Sequence, residues 1–207
     1  MADSSGGCCR CCCSFIFTLG LTALFMWLSL RTSNPKCYIQ TFYLPSLNRT
    51  LNHTTNSTLS LTLRLENPNK DKGIKYYPLN VTVYDFPNRS HVIGNIWMPG
   101  FCQGHKKKAT KPGHGIANTT VALKAVSDNG TGVFRVEMAT SVKFKIIFWY
   151  TKRHKIRVGA DVVVNASGVK VYHKGIKLKS MAPRMGSFCV VVGALVTFLV
   201  FTLLNFW

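Results

Sequence analysis

Two residue types stand at spacings that invite covalent chemistry. Cys8, Cys9, Cys11, Cys12 and Cys13 crowd the N-terminal edge of an apolar run. Thiols at the cytosolic border of a membrane span are candidates for S-palmitoylation; plain apolar filling is the competing reading. Cys8 and Cys11 also have the C-x2-C spacing of a zinc half-site. No second pair or histidine lies nearby to complete a tetrahedral set, so no metal is expected. The second type is the Asn-x-Ser/Thr acceptor for glycosylation, which begins at Asn48, Asn52, Asn56, Asn80, Asn88, Asn118, Asn129 and Asn165, never with Pro in the middle. That is several times the chance number for this Asn, Ser and Thr content. Glycosylation needs a secretory lumen, so the region holding all eight sites is expected to be extracellular.

Other chemistry is missing from the pattern. There is no G-x-S-x-G, P-loop, G-x-G-x-x-G or H-E-x-x-H motif, and the six His have no ligand-like spacing. No enzymatic activity and no cofactor are expected. The exported acidic residues, Glu66, Asp71, Asp85, Asp128, Glu137 and Asp161, are few and scattered.

Charge is the other signal. The net charge is +19, and of the 26 Lys and Arg only Arg10 lies outside positions 31–187. Lys106, Lys107, Lys108 and Lys111 occupy the stretch GHKKKATKPGHG, which reads as a flexible basic loop. A second group, Lys143, Lys145, Lys152, Arg153, Lys155 and Arg157, flanks the apolar IIFWY. A basic exported domain suits an acidic polysaccharide or anionic lipid headgroups; the compartment argues against nucleic acid.

The elements that must position these residues follow from hydropathy. Cys11 to Leu30 is uncharged over 20 residues, apolar all round, and long enough to cross a bilayer as a helix. It lacks a small-x-small cleavage pattern, so an uncleaved signal anchor is preferred over a removed signal peptide. Arg10 before it and Arg31 and Lys36 after it slightly favour the opposite orientation, but eight acceptor sites outweigh them. The expected organisation is a cytosolic Cys-rich tail at 1–13, a transmembrane helix at 14–30, a glycosylated domain at 31–180 and an apolar segment at 181–207. The last is read as a glycosylphosphatidylinositol signal attached at Ser180, with a second membrane helix as the alternative.

The middle reads as strands. LSLTLRLEN alternates strictly, placing Leu59, Leu61, Leu63 and Leu65 on one face. CYIQTFYL, LNVTVYDF, HVIGNIWM, TTVALKAV, VFRVEMATSVKFKIIFW, KIRVGADVVV and VKVYHK are the other expected strands. NPNKDKGI and DNGTG are expected turns. The fold class is all-β: an immunoglobulin/fibronectin-III-like β-sandwich of about seven strands, with an apolar segment at either end of the chain. A bridge between Cys37 and Cys102 stays open.

Several stretches resemble the plant non-race-specific disease resistance and harpin-induced-like family, whose core is a late-embryogenesis-abundant type-2 domain. They are the cysteine cluster with SFIFTLGLTALFMWLSL, NPNKDKGI (67–74), QGHKKKA (103–109), VKFKIIFWYTKR (142–153), VGADVVVN (158–165) and the apolar tail. The resemblance implies a fibronectin-like sandwich outside the plasma membrane and the lipid anchor. It also implies a non-enzymatic role in defence signalling against bacterial pathogens, upstream of coiled-coil resistance receptors. The implied partners are membrane lipids and immune-signalling proteins at that membrane. A tether gripping anionic cell-wall polysaccharide and a dehydration protectant of membranes are the alternatives. The family's Tyr-Gln-Gly is here Cys102, Gln103 and Gly104, and an adhesion-type Asn-Gly-Asp is replaced by Asn165, Ala166 and Ser167.

Overall fold

The computed structural model describes residues 6–48, 57–126 and 131–181. The first element, α1 (Gly6–Leu30), covers the expected anchor and extends back through the cysteine cluster. Its side chains are described from Ser14 to Trp27, and all of these are exposed. Thr18 and Thr22 return their hydroxyls to the carbonyls of Ser14 and Thr18 at 3.0 Å, which satisfies them within the helix. Among the described residues, no helix is long and apolar enough to cross a membrane.

The rest is mostly antiparallel β-sheet. Its elements are β1 (Lys36–Tyr43), a 3-10 turn (Pro45–Leu47), β2 (Thr58–Glu66), β3 (Gly73–Tyr76), β4 (Leu79–Asp85), β5 (Val92–Met98), β6 (Cys102–Gln103) and β7 (Lys108–Ala117). Then come α2 (Thr119–Lys124), β8 (Gly132–Ile146), β9 (Trp149–Tyr150), β10 (His154–Val164), β11 (Ile176–Lys177) and β12 (Lys179–Ser180). Among the described residues there are twelve strands rather than about seven. The excess comes from short ones, β3, β6, β9, β11 and β12, that sequence alternation is too brief to reveal.

The main path runs β11-β1-β2-β7-β5-β4-β8-β10-β12. It folds over between β7 and β5. A Cβ on Gly113 would lie 2.8 Å from Ile96 Cγ2 and 3.0 Å from Met98 Sδ, so the bare glycine lets β5 lie across β7. The fold brings β1 against β8, with Phe42 and Phe134 stacked at 6.1 Å between centroids. Leu59, Leu61, Leu63 and Leu65 are all buried, as their alternation predicts; each contributes about 1.5–3 kcal/mol by leaving water. β11 pairs with β1 and β12 with β10, so Ile176–Ser180 bridges the two free edges.

Three sequence expectations fail, each for a local reason. TTVALKAV is not a strand but contains α2, because Asn118 caps it through Val121 N–H and Ala, Leu and Lys favour helix. VKVYHK is not a strand either; Val169 and Lys170 make only single bridges, to Tyr43 and Val164. Lys170 turns inward instead, donating to the carbonyls of Ile39, Gln40 and Lys174, and burial lowers its pKa from the usual lysine value. GHKKKATKPGHG is only partly a loop, since β7 begins at Lys108 and pairs along β2 as far as Ile116. Pro112 is tolerated because β5 reaches β7 only at Gly94–Ala117 and Asn95–Ile116, leaving that side open at the proline. Most of DNGTG lies outside the described residues.

Register divides the domain into two ends. Lys36, Glu66, Gly73, Lys108, Lys145 and His154 mark the end where α1 enters. Tyr43, Thr58, Asp85, Ile116, Gly132 and Val164 mark the far end.

Candidate functional site

The α1 end is organised by polar side chains that the sequence presents as an ordinary turn. Asn67 Oδ1 accepts from Asn69 N–H at 3.0 Å and from Asn69 Nδ2 at 2.9 Å; Asn67 Nδ2 donates to Lys72 O at 2.7 Å and Gly104 O at 3.0 Å. Asn69 then holds both backbone groups of Ser33, at 2.8 and 2.9 Å, and Lys72 Nζ reaches Arg31 O at 3.2 Å. Gln103 donates to Leu65 O and Lys107 O and accepts from Tyr76 OH at 2.9 Å. Burial pushes the Tyr76 phenol above its ordinary pKa. The chain leaving α1 is therefore fixed to the β2–β3 and β6–β7 connections.

Next to this network lies a continuous basic face. In register, Lys75 of β3 faces Lys143 of β8, and Gly73 faces Lys145. On the other side of β8, Lys155 and Arg157 of β10 face Ser141 and Ala139. Like charges directly opposite each other destabilise a sheet, so Lys75 and Lys143 are not there for the fold. Arg153 lies over the Tyr77 ring at 3.7 Å and Lys75 over Tyr150 at 5.8 Å. The acidic residues do not neutralise this face. Glu66 pairs with Arg64 and Lys108, Asp71 with Lys72, Asp85 with His91, and Glu137 and Asp161 with Arg135. Asp128 lies outside the described residues.

Of the basic residues singled out from sequence, Lys152, Arg153, Lys155 and Arg157 belong to this face or its border. Lys106 and Lys107 sit in the turn before β7 at the α1 end, where Lys106 N–H donates to Asn69 O. Lys108 and Lys111 run along β7, with Lys111 over the Phe101 ring at 4.6 Å. The two sequence groups thus occupy different layers. Lys75 escaped the sequence reading, because only strand pairing brings it opposite Lys143. A groove of about 650 Å³ between Asn34–Lys36 and the start of β10 is lined by Lys36, Lys155, Arg157, Lys177 and Met181.

The acceptor asparagines are distributed differently. Asn48, Asn88, Asn118 and Asn165 lie at the far end, following the 3-10 turn, in the β4–β5 turn, capping α2 and after β10. Asn80 is exposed on β4, opposite Ala139. Asn52, Asn56 and Asn129 lie outside the described residues, as do the side chains of Cys8, Cys9, Cys11, Cys12 and Cys13. Ser180 is exposed in β12, opposite Val158. Met181 N–H donates to Arg157 O at 3.2 Å, and positions 182–207 lie outside the described residues.

Cys37 and Cys102 are not bridged: both are free, one buried on β1 and the other exposed on β6. Burial pushes the Cys37 thiol up to about 12, so it is protonated at neutral pH. Among the described residues, no group of three or more His, Cys, Asp or Glu is placed to hold a metal.

These features define a class: a mostly antiparallel β domain, entered by a helix, with a basic outer face on β3, β8 and β10. Comparison with known proteins makes the assignment specific. The chain is 48% identical over 204 residues to Protein NDR1 of Arabidopsis thaliana, covering 92% of each. It belongs to the NDR1-like family of non-race-specific disease resistance proteins. No family model matches the chain. A crystal structure of a protein from Archaeoglobus fulgidus, 8% identical, covers 65% of this chain and 98% of its own at a TM-score of 0.35, a likeness too slight to carry an argument.

Proposed function

We propose that this protein is a non-enzymatic plasma-membrane glycoprotein that supports disease-resistance signalling in plants, in defence against bacterial pathogens and the hypersensitive response. The observation that carries the reading is the 48% identity to Protein NDR1 across 92% of both chains. In this reading α1 is a signal anchor, its cysteines are acylated, and residues 31–180 form an extracellular immunoglobulin/fibronectin-III-like sandwich. The apolar C-terminal segment is exchanged for a lipid anchor at Ser180. Two features support that topology. The described acceptor sites other than Asn80 cluster at the far end, and Arg31 and Met181 leave the domain at the α1 end.

Expression in Arabidopsis plants lacking Protein NDR1 tests the reading. Restored hypersensitive response to a bacterial pathogen is the expected result. Absence of any rescue by a chain that is expressed and reaches the cell surface overturns it.

A second reading rests on the basic face of β3, β8 and β10, which is suited to anionic cell-wall polysaccharide. Replacing Lys155 and Arg157 with Gln should then weaken binding of the membrane-embedded chain to polygalacturonate several-fold. Wild-type binding should fall steeply with ionic strength. Binding indifferent to salt and to both substitutions removes this reading.

A further inference from the structure

The hairpin joining β8 to β9 has an exterior that the fold does not require. Ile147, Phe148 and Trp149 are 74%, 94% and 64% exposed, three consecutive large apolar side chains standing in water. Soluble surfaces avoid such runs unless something covers them. The backbone adds an independent sign. Ile147 has φ 50°, at the turn position where two-residue hairpins favour glycine. A β-branched residue there is strained. Asn or Gly would make a more stable turn but would remove an apolar side chain from the tip.

The surroundings point to one occupant. Lys145 pairs with Tyr150 across the hairpin and lies opposite Gly73; Lys143 lies opposite Lys75; Lys152 and Arg153 follow β9. An apolar tip inside a basic collar matches the layering of a bilayer surface, with anionic headgroups outside and acyl chains beneath. Position agrees. Gly73 follows Lys72, whose Nζ holds Arg31 O at the exit of α1. The tip extends two residues past the Gly73–Lys145 pair, roughly 7 Å further along the strand direction. Lys106 and Lys107 lie on the same end, through the Lys106 N–H to Asn69 O bond. The tip, its collar and the chain emerging from α1 therefore share one end of the domain.

We propose that the β8–β9 hairpin, Ile147–Tyr150, inserts into the headgroup region of the bilayer that α1 enters, with Lys75, Lys143, Lys145, Lys152 and Arg153 on anionic headgroups. The inference rests on the reading of α1 as a membrane anchor. It gives the domain a second attachment point and a fixed orientation, with the α1 end down and the end holding Asn48, Asn88, Asn118 and Asn165 up. A freely swivelling tether would have neither.

The test uses the full chain reconstituted in phosphatidylcholine vesicles containing phosphatidylglycerol. The emission difference between wild type and Trp149→Phe isolates Trp149 from the other tryptophans. Quenching of that component by lipids brominated on the acyl chain, with at least a twofold loss of quenching by aqueous iodide, is expected. Ile147→Asn, which suits the positive φ and keeps the turn, should reverse both effects while leaving the fold at least as stable. Carbonate extraction reports separately on whether the chain is anchored in the bilayer at all. Trp149 open to iodide in a carbonate-resistant chain overturns the hairpin proposal alone. Release by carbonate overturns the anchor reading and the proposal with it. A concentration-dependent blue shift without lipid quenching assigns the tip to a second copy of the chain. A response only to polygalacturonate assigns it to polysaccharide. Either assignment overturns the proposal.

Discussion

The two ends of the domain are built by different means. At the α1 end, the side-chain bonds that fix the backbone join residues far apart in sequence. Ser33 is tied to Asn69, Asn67 to Gly104, Lys72 to Arg31 and Gln103 to Leu65, with separations of 36, 37, 41 and 38 residues. At the far end most are local, with Lys170 the exception through its Nζ bonds to Ile39 O and Gln40 O. Asn165 Oδ1 accepts from the N–H groups of Ser167 and Val169, Asn118 Oδ1 from Val121 N–H, and Asp85 from Ser90 and His91. Local bonds shape one turn and can be lost singly. Long-range bonds cross-link three segments, so losing one loosens the end that α1 enters. Self-contained turns serve an end where the chain only reverses direction, whereas the end entered by α1 is held by bonds between segments distant in sequence.

The largest expected effect lies at the α1 end. Asn67→Ala removes the acceptor of the buried Asn69 N–H and the donor to the Lys72 and Gly104 carbonyls, which should destabilise the domain by about 1–3 kcal/mol. Urea unfolding of the full chain in nanodiscs measures this. A change below about 0.5 kcal/mol, within the range of ordinary surface substitutions, would break the contrast between the ends.

A smaller effect is expected at α2. Asn118→Gln and Thr120→Ala both abolish the acceptor at Asn118, but only the first removes the helix cap. In unglycosylated chain, Asn118→Gln should destabilise by about 1 kcal/mol and Thr120→Ala by a few tenths at most. Equal losses would mean that the cap contributes nothing and that the turn is held from elsewhere.

The smallest effect is a titration. The His91 backbone N–H, then the His91 ring and the Ser90 hydroxyl, hold the Asp85 carboxyl below the usual aspartate value of 3.8. A depressed carboxylate stabilises fully above 3.8, and the contribution is lost as pH falls through the lower folded value. The Ser90 amide NMR shift should therefore follow a titration whose midpoint lies below 3.8. The Asn67, Asn69 and Gln103 amides do not titrate, so their shifts should not follow the same curve. A common curve would show the two ends opening together.

Much of the fold was legible because alternation reports burial directly. Leu59 to Leu65 could face only one way, and the same logic placed β4, β5 and β10 to within a residue, while β8 stops three residues before the expected end because the chain turns at Ile147. It misread TTVALKAV because a capped helix of six residues is too short to display a full period, and Val and Thr imitate a strand. It misread the lysine-rich stretch because Pro112 and two glycines look like a loop unless the neighbouring strand is known to stop short. The basic residues themselves were legible, but not their grouping. Lys108 and Lys111 are close in sequence to Lys106 yet belong to another layer than Lys143 and Lys155, while Lys75 joins the latter from across the sheet.

The sequence by itself determined composition-level facts: a charge of +19, an uncharged run fit for a membrane, eight glycan acceptors and a β-rich domain. These depend on residue types and short-range periodicity, which survive without knowledge of contacts. It also carried the family, since the resemblance lies in contiguous stretches. Only the tertiary structure decided that Asn48, Asn88, Asn118 and Asn165 gather at the end away from α1, that Asn67 and Asn69 are buried anchors rather than turn residues, and that Ile147–Trp149 project beside the exit of α1. Each of those is a matter of register between strands distant in sequence. Register is set by which faces bury their apolar residues together, and that is a property of the assembled sheet rather than of any one strand.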